Sequence, residues 1–152
     1  MNKNPLVLSG KSNLVYFAPT SGGKSIISEL LMLRAILGFK KRAIYVLPYI
    51  SIVSEKSNYL QKLCENINLK IVALHSQSEA YWSPNCDITI CTIEKANSLL
   101  NRLIEEKLYF DVEFFIIDEF HLIQDKQRGY QLETILTKLK TLEQVFNQPN
   151  RF

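Results

Sequence analysis

Residues 18–25 read Ala-Pro-Thr-Ser-Gly-Gly-Lys-Ser, and this stretch decides the fold. It lies between an apolar run at residues 14–18, which predicts a β-strand, and an apolar helical pattern that begins at Ile26. A strand that leads through a glycine-rich turn into a helix directs backbone N–H groups toward an anion, and the helix dipole adds roughly half a positive charge there. The sequence therefore predicts a phosphate-binding loop.

The residue types in this loop suit the binding of a nucleotide. Gly22 and Gly23 let the backbone approach phosphate oxygens, Lys24 can reach the β- and γ-phosphates, and the Ser25 hydroxyl can bind Mg²⁺. Lys24 is therefore also a catalytic candidate. The predicted phosphate-binding residues are Thr20, Ser21, Gly22, Gly23, Lys24 and Ser25. The usual pattern begins with glycine, whereas this chain has Ala18, so a chance glycine turn is the alternative.

A second segment, residues 113–117, is an apolar run without alternation, which is typical of a strand buried on both faces of a parallel sheet. It is followed by Asp118-Glu119-Phe120-His121. Ligands of open α/β sheets bind at the carboxyl ends of the strands. We predict that Asp118 holds Mg²⁺, partly through water, and that Glu119 orients and polarises the attacking water. The alternative is a pair of solvated turn acids, which the phosphate-binding loop makes less favourable.

Together, these motifs resemble a known family. Asp-Glu-x-His after such a loop is similar to the first motor domain of superfamily 2 helicases. Four segments resemble the DNA helicase family of DNA polymerase theta and its helicase paralogue, and similarity runs from about residue 8 to about residue 139. These segments are residues 13–25, 47–56, 91–97 and 128–130.

The resemblance implies a function. It implies the ATP-binding half of an ATP-dependent DNA helicase, whose ATPase is stimulated by single-stranded DNA and which acts in DNA repair in the nucleus with ATP and Mg²⁺. It assigns His121 to coupling the nucleotide site to the rest of the motor, and it implies an orienting role for Arg128. The implied contacts with the DNA backbone are Pro48, Ser51, Thr92, Lys95 and Arg102. The residues alone favour a turn at Pro48, a helix cap at Thr92 and a solvated face at Lys95 and Arg102, and the resemblance reverses this preference for Pro48 and Thr92 only.

Five strand patterns mostly alternate with helical patterns along the chain. They lie at residues 14–18, 43–47, 70–74, 87–91 and 113–117. This order predicts an α/β fold, a RecA-like P-loop NTPase domain with a mostly parallel sheet flanked by helices. The first helix is predicted to end at Gly38, and Thr92 to cap the third helix. An apolar stripe that includes Tyr59, Leu63 and Ile67 is assigned to the core face of the second helix.

Composition excludes several classes of protein. The chain has 152 residues, of which 47% are hydrophobic, enough for one core, and its formal net charge of +3 gives no global basic field. Cys64, Cys86 and Cys91 lack metal-ligand spacing and are interpreted as reduced, mostly structural thiols of an intracellular protein. We expect neither secretion nor membrane insertion. Trp82 and Tyr81 lie in a predicted loop, either as anchors on the core or as base-stacking groups.

The resemblance also implies that the chain is one part of a larger motor protein. We expect residues 1–152 to be a partial helicase ATP-binding domain, incomplete at both ends. In such motors a second RecA-like domain, which we expect to be absent here, supplies an arginine finger. The alternative is a truncated, non-enzymatic module that binds nucleotide or DNA and regulates a partner. A small P-loop kinase is disfavoured because the acidic box supplies a hydrolytic carboxylate.

Overall fold

The computed structural model describes residues 14–15, 23–76, 82–83 and 85–146, without the side chains of Lys24, Val145 and Phe146. The helices within these ranges are α1 Lys24–Phe39, α2 Ile50–Leu63, α3 Ile93–Glu105 and α4 Gly129–Phe146. The strands are β1 Arg42–Leu47, β2 Ile71–Leu74, β3 Ile88–Thr92 and β4 Val112–Ile117. Short 3-10 helices lie at Glu65–Ile67, Tyr109–Asp111 and Phe120–Gln124. None of the helices in these ranges is long and apolar enough to cross a membrane.

The four strands form one sheet in the order β2-β3-β1-β4, and every neighbouring pair is parallel. Parallel neighbours require crossover connections, which the helices supply. The predicted α/β fold with a parallel sheet flanked by helices is therefore confirmed. Because all strands run in the same direction, the residues that follow β1, β3 and β4 meet at one edge of the sheet.

Strand β1 is buried on both faces and divides the core into two clusters. Ile44 and Val46 point toward α3 and α4, whereas Tyr45 and Leu47 point toward α1 and α2. The residues of β1 that are no more than 2% exposed are Ala43, Ile44, Tyr45, Val46 and Leu47. A strand covered on both faces needs no polar alternation, which explains the continuous apolar run in the sequence.

Two predicted boundaries are wrong. Leu14 and Val15 lie in no strand, and the rest of the strand predicted at residues 14–18 falls outside the described residues. Helix α1 continues past Gly38 to Phe39 and ends at Lys40, which adopts φ 53° and donates its N–H to the Ile36 carbonyl at 3.0 Å. An exposed lysine thus takes the left-handed position predicted for glycine, because the hydrogen bond compensates for its cost.

The predicted face of the second helix is also wrong in part. Tyr59, Leu63 and Ile67 are exposed, and Ile67 lies beyond the end of α2 in a 3-10 turn. The buried positions of α2 and its end are Val53, Ser57, Leu60 and Cys64. These positions are spaced four, three and four residues apart, which places them on a single face of the helix. One of them is Ser57, so a pattern of apolar residues does not by itself identify this face.

Other sequence predictions are confirmed. Thr92 caps α3, with its hydroxyl oxygen accepting a long 3.5 Å hydrogen bond from the Lys95 N–H. Trp82 is 7% exposed and packs into the core cluster, so it is a loop anchor, while Tyr81 lies outside the described residues. The three cysteines are buried and unpaired, and burial raises the pKa of the Cys86 and Cys91 thiols.

We expect Gly129→Ala and Gly38→Ala to have opposite effects on stability. A Cβ at Gly129 would lie 2.3 Å from the Ile123 carbonyl oxygen, whereas a Cβ at Gly38, inside α1, would meet nothing within 4 Å. Gly129→Ala should lower the free energy of unfolding by about 2 kcal/mol or more. Gly38→Ala should raise it by about 0.5 kcal/mol, because alanine favours the helix. Urea unfolding measures both, and equal stability of the two variants would contradict the packing at Gly129.

Candidate functional site

The N-terminus of α1 has the local features that suit an anion. Gly23 precedes the helix at φ 73°, in the left-handed region that favours glycine, and the first turn contains no acidic residue. The positive end of the helix therefore has no acidic side chain in its first turn to neutralise it. Of the predicted loop, Thr20, Ser21, Gly22 and the Lys24 side chain lie outside the described residues, so their phosphate contacts stay predictions.

Asp118 continues the hydrogen bonding of β4 for one residue. Its N–H donates to the Val46 carbonyl at 3.1 Å, and its Oδ1 accepts from the Glu119 N–H at 2.9 Å. Glu119 then adopts φ 55°, which turns the chain sharply into the 3-10 helix Phe120–Gln124. A non-glycine residue in this region is strained, and such residues cluster at functional sites.

Glu119 and His121 contact each other at the surface. His121 Nδ1 lies 3.1 Å from Glu119 Oε2, and both side chains are exposed. The acidic side chain predicted to orient water is therefore next to the histidine predicted to couple the site to the motor. The roles of both residues stay predictions, but the structure does bring their side chains together.

A chain of close polar contacts joins the first turn of α1 to Asp118. The Ser28 hydroxyl donates to the Ser25 carbonyl at 2.9 Å and also lies 3.3 Å from the Tyr45 hydroxyl. The Tyr45 hydroxyl in turn donates to Asp118 Oδ2 at 3.3 Å. Burial raises the pKa of Tyr45, so its hydroxyl keeps the proton that it donates. The two motifs that the sequence places 93 positions apart, at Ser25 and Asp118, thus lie together.

Sequence reasoning missed a mostly buried ion pair beside these contacts. Lys56 Nζ lies 2.5 Å from Glu29 Oε1, with side chains 14% and 8% exposed. The Tyr59 hydroxyl donates to Glu29 Oε2 at 3.3 Å, and Lys56 Nζ lies 5.3 Å from the centroid of the Tyr45 ring. The sequence signal is faint, because Glu29 lies one turn after Ser25 in a mostly apolar helical pattern and Lys56 lies among the apolar residues of the second helical pattern.

Four of the predicted DNA-contacting residues lie at the carboxyl edge of the sheet. Pro48 follows β1 and is buried, Ser51 is exposed in the first turn of α2, and Lys95 is exposed in the first turn of α3. Thr92, buried as the cap of α3, pairs with Leu47 in the register of β1 and β3. The structure therefore brings these residues to the same edge as Asp118.

Arg102 lies apart from the other four. It is ten positions after Thr92 along α3, roughly 15 Å at the rise of an α-helix. Its Nε donates to Glu106 Oε1 at 2.7 Å, and its guanidinium lies 5.7 Å from the centroid of the Trp82 ring. The DNA contact predicted for Arg102 stays a prediction, at a different place from the others.

Arg128 connects three segments at the carboxyl edge. Its Nε lies 3.7 Å from Glu94 Oε1, and its guanidinium lies 4.6 Å from the centroid of the Tyr49 ring. The turn before α4 is held by Asp125 Oδ1, which accepts the N–H groups of Gln127 and Arg128 at 2.9 Å each. These two bonds lower the pKa of Asp125.

The sequence pattern of the DEAD/DEAH box helicase family matches residues 4–151, nearly the whole chain. The chain belongs to the DEAD/DEAH box helicase family. The resemblance drawn from the motifs is confirmed, and the parallel sheet with its flanking helices is a RecA-like α/β fold.

Individual relatives of this helicase domain are substantially similar to it. DNA polymerase theta of Mus musculus is 46% identical over 134 residues, and Helicase POLQ-like of Homo sapiens is 35% identical over 134 residues. ATP-dependent DNA helicase Hel308 of Methanococcus vannielii is 32% identical over 142 residues. These matches cover 88%, 85% and 90% of this chain. The chain spans only 5%, 12% and 19% of the respective relatives.

We expect Lys56→Met to destabilise the helicase domain by about 3 kcal/mol, because it leaves the buried Glu29 carboxylate without its cation. The double variant Glu29→Gln/Lys56→Met should recover most of that loss, since neither charge is then buried. Arg102→Met, which breaks the exposed Arg102–Glu106 pair, is the control and should cost at most about 0.5 kcal/mol. Chemical denaturation measures all three, and equal losses for Lys56→Met and Arg102→Met would contradict burial of the pair.

Proposed function

We propose that the chain is the ATP-binding, first RecA-like domain of an ATP-dependent DNA helicase of the polymerase theta type. The observation that carries this proposal is the chain of close polar contacts from Ser25 through Ser28 and Tyr45 to Asp118. These contacts link the first turn of α1 to a carboxylate, and nucleotide hydrolysis requires both a helix N-terminus for the phosphates and an acidic group. The names of the relatives, which include polymerase and ATP-dependent helicase, support DNA as the partner and ATP as the nucleotide.

The residues at this place have the oxygen ligands that Mg²⁺ prefers. The Ser25 hydroxyl and the Asp118 carboxylate would hold the ion, partly through water. When bound, Mg²⁺ neutralises charge that develops on the phosphates. Backbone N–H groups of Thr20–Gly23 and the Lys24 ammonium bind phosphate oxygens, and Lys24 stabilises the charge of the transferred group.

Glu119 serves to orient and polarise the attacking water. Its carboxylate is exposed beside His121, so a rearrangement at the nucleotide site reaches that histidine directly. We assign His121 to this coupling and not to proton transfer. Glu119 adopts its left-handed backbone two residues after the end of β4, and its side chain is exposed whereas Asp118 is half-buried.

Single-stranded DNA is the proposed partner at the same edge of the sheet. Ser51, Thr92 and Lys95 offer backbone N–H groups, hydroxyls and a positive charge to phosphate oxygens, which binds a strand without reading its sequence. Pro48 has no N–H group, and its proposed part is to shape the turn that follows β1 beside them. Arg102 is a fifth, more distant contact. DNA repair in the nucleus is the proposed setting, in keeping with the animal polymerases among the relatives.

A complete motor of this kind has two RecA-like domains. We propose that residues 1–152 are part of the first, and that a second RecA-like domain supplies an arginine finger across the nucleotide cleft. Such a finger contributes on the order of 10³ to 10⁵ in rate. By itself the chain should therefore bind nucleotide but turn it over very slowly.

Lys24→Ala is expected to abolish binding of Mg²⁺ with ADP, because it removes the charge that faces the β-phosphate. Lys62→Ala, at the exposed end of α2, is the matched control and should bind like wild type. Calorimetric titration of the three proteins measures this. Equal affinities for wild type and Lys24→Ala would refute the phosphate-binding assignment.

In a motor that contains this chain, Glu119→Gln should leave ATP affinity nearly unchanged but lower DNA-stimulated turnover by on the order of 10². Asp118→Asn should instead weaken the Mg²⁺-dependent part of ATP binding, since it removes a charge directed at the metal. Phosphate release with and without single-stranded DNA, measured beside nucleotide affinity, separates the two. Unchanged turnover in Glu119→Gln would remove Glu119 from the mechanism.

A further inference from the structure

Tyr45 is an unusual residue for the centre of β1. It is 1% exposed, and its neighbours along the strand are the fully apolar Ile44 and Val46. Burying a hydroxyl costs free energy unless the hydroxyl is hydrogen-bonded, whereas phenylalanine would fill the same space without that cost. The two partners of this hydroxyl, Ser28 and Asp118, therefore indicate what it does.

The direction of the hydrogen bonds follows from the chemistry of the partners. An ionised carboxylate only accepts, so the one proton of the Tyr45 hydroxyl goes to Asp118 Oδ2. The other oxygen, Asp118 Oδ1, accepts from the N–H of the adjacent Glu119, which turns with the same loop. Tyr45 thus ties the carboxylate to a different strand and limits its rotation about the side-chain bonds.

Tyr45 is itself held by charged groups from two helices. The Lys56 ammonium of α2 lies 5.3 Å from the centroid of its ring, and that ammonium is paired with Glu29 of α1 at 2.5 Å. A buried ion pair has a fixed geometry, because separating its charges in a medium of low dielectric constant is unfavourable. The ring therefore lies between the sheet and a rigid contact of α1 with α2.

We propose that Tyr45 is a positioning residue for the nucleotide site: its hydroxyl holds the Asp118 carboxylate toward the metal, and the Glu29–Lys56 ion pair holds the Tyr45 ring. This inference rests on the proposed function, in which Asp118 binds Mg²⁺ beside the phosphates. Tyr45 touches neither nucleotide nor metal in this arrangement. It acts through Asp118, so its removal affects the metal-dependent part of nucleotide binding and leaves the metal-independent part intact.

The test compares Tyr45→Phe with Tyr59→Phe in the full 152-residue chain. Each variant removes one tyrosine hydroxyl from the same cluster, but the Tyr59 hydroxyl contacts Glu29 and not Asp118. ADP binding is measured over a series of Mg²⁺ concentrations and in EDTA. Tyr45→Phe should raise the Mg²⁺ concentration for half-maximal binding roughly threefold to tenfold, the effect of one hydrogen bond to a charged group. Its ADP affinity in EDTA should stay within about twofold of wild type, and Tyr59→Phe should match wild type in both measurements.

A second variant guards against misfolding of Tyr45→Phe, which a thermal melt detects. Glu29→Gln/Lys56→Met removes the cation from the Tyr45 ring without leaving a buried charge, and it should raise the Mg²⁺ requirement in the same direction. A Mg²⁺ requirement equal to wild type in the folded variants overturns the positioning role. An equal loss of ADP affinity in EDTA overturns it as well, since that result indicates a general structural effect.

The same titration separates this inference from the proposed function. If wild type binds Mg²⁺ with ADP and Lys24→Ala does not, the result supports the proposed nucleotide site. The Tyr45 variants then test the positioning role of Tyr45 separately. If wild type shows no Mg²⁺-dependent binding, or Lys24→Ala binds equally well, the proposed function fails and the role of Tyr45 fails with it.

Discussion

The pairing of β1 with β4 is the interaction on which the candidate site depends. These strands lie side by side in parallel, and the ladder continues by one hydrogen bond beyond β4, from the Asp118 N–H to the Val46 carbonyl. That bond fixes where the acidic box leaves the sheet. Since β1 also carries Tyr45 and leads to Pro48, one strand determines the position of the carboxylate, of its hydroxyl partner and of the segment predicted to contact DNA.

The ion pair of Glu29 and Lys56 packs against β1, and burying its charges has a cost in folding free energy. Removing a lysine and a glutamate from water costs several kcal/mol each, and their mutual attraction roughly offsets that cost. The Glu29–Lys56 pair is therefore not explained by stability alone, because apolar side chains of similar volume would serve as well. Its geometry is more informative: it joins the helix that begins at the phosphate-binding loop to the helix that begins at the predicted DNA edge.

The sequence predicted the parts of the fold that depend on local patterns. Strand patterns that mostly alternate with helical patterns predicted the four parallel strands, and a threonine before a helical pattern predicted the Thr92 cap. Prediction from the sequence failed where the contact that determines the structure joins residues far apart in the sequence. Nothing local shows that Lys40 ends α1 in place of Gly38, or that Glu29 pairs with a residue 27 positions away on another helix. Likewise, the Tyr45 hydroxyl has meaning only once β4 places Asp118 beside it.

The close approach of Gly129 to Ile123 has a consequence for how this segment can evolve. The 3-10 helix Phe120–Gln124 touches the first residue of α4 backbone to backbone, and the Asp125 side chain closes the turn between them. Loops usually tolerate insertions, but a residue added here would displace the glycine and bring a side chain against the carbonyl. The stretch from Asp118 to Gly129 is therefore constrained in length as well as in composition, so homologous domains should vary in other loops before they vary in this one.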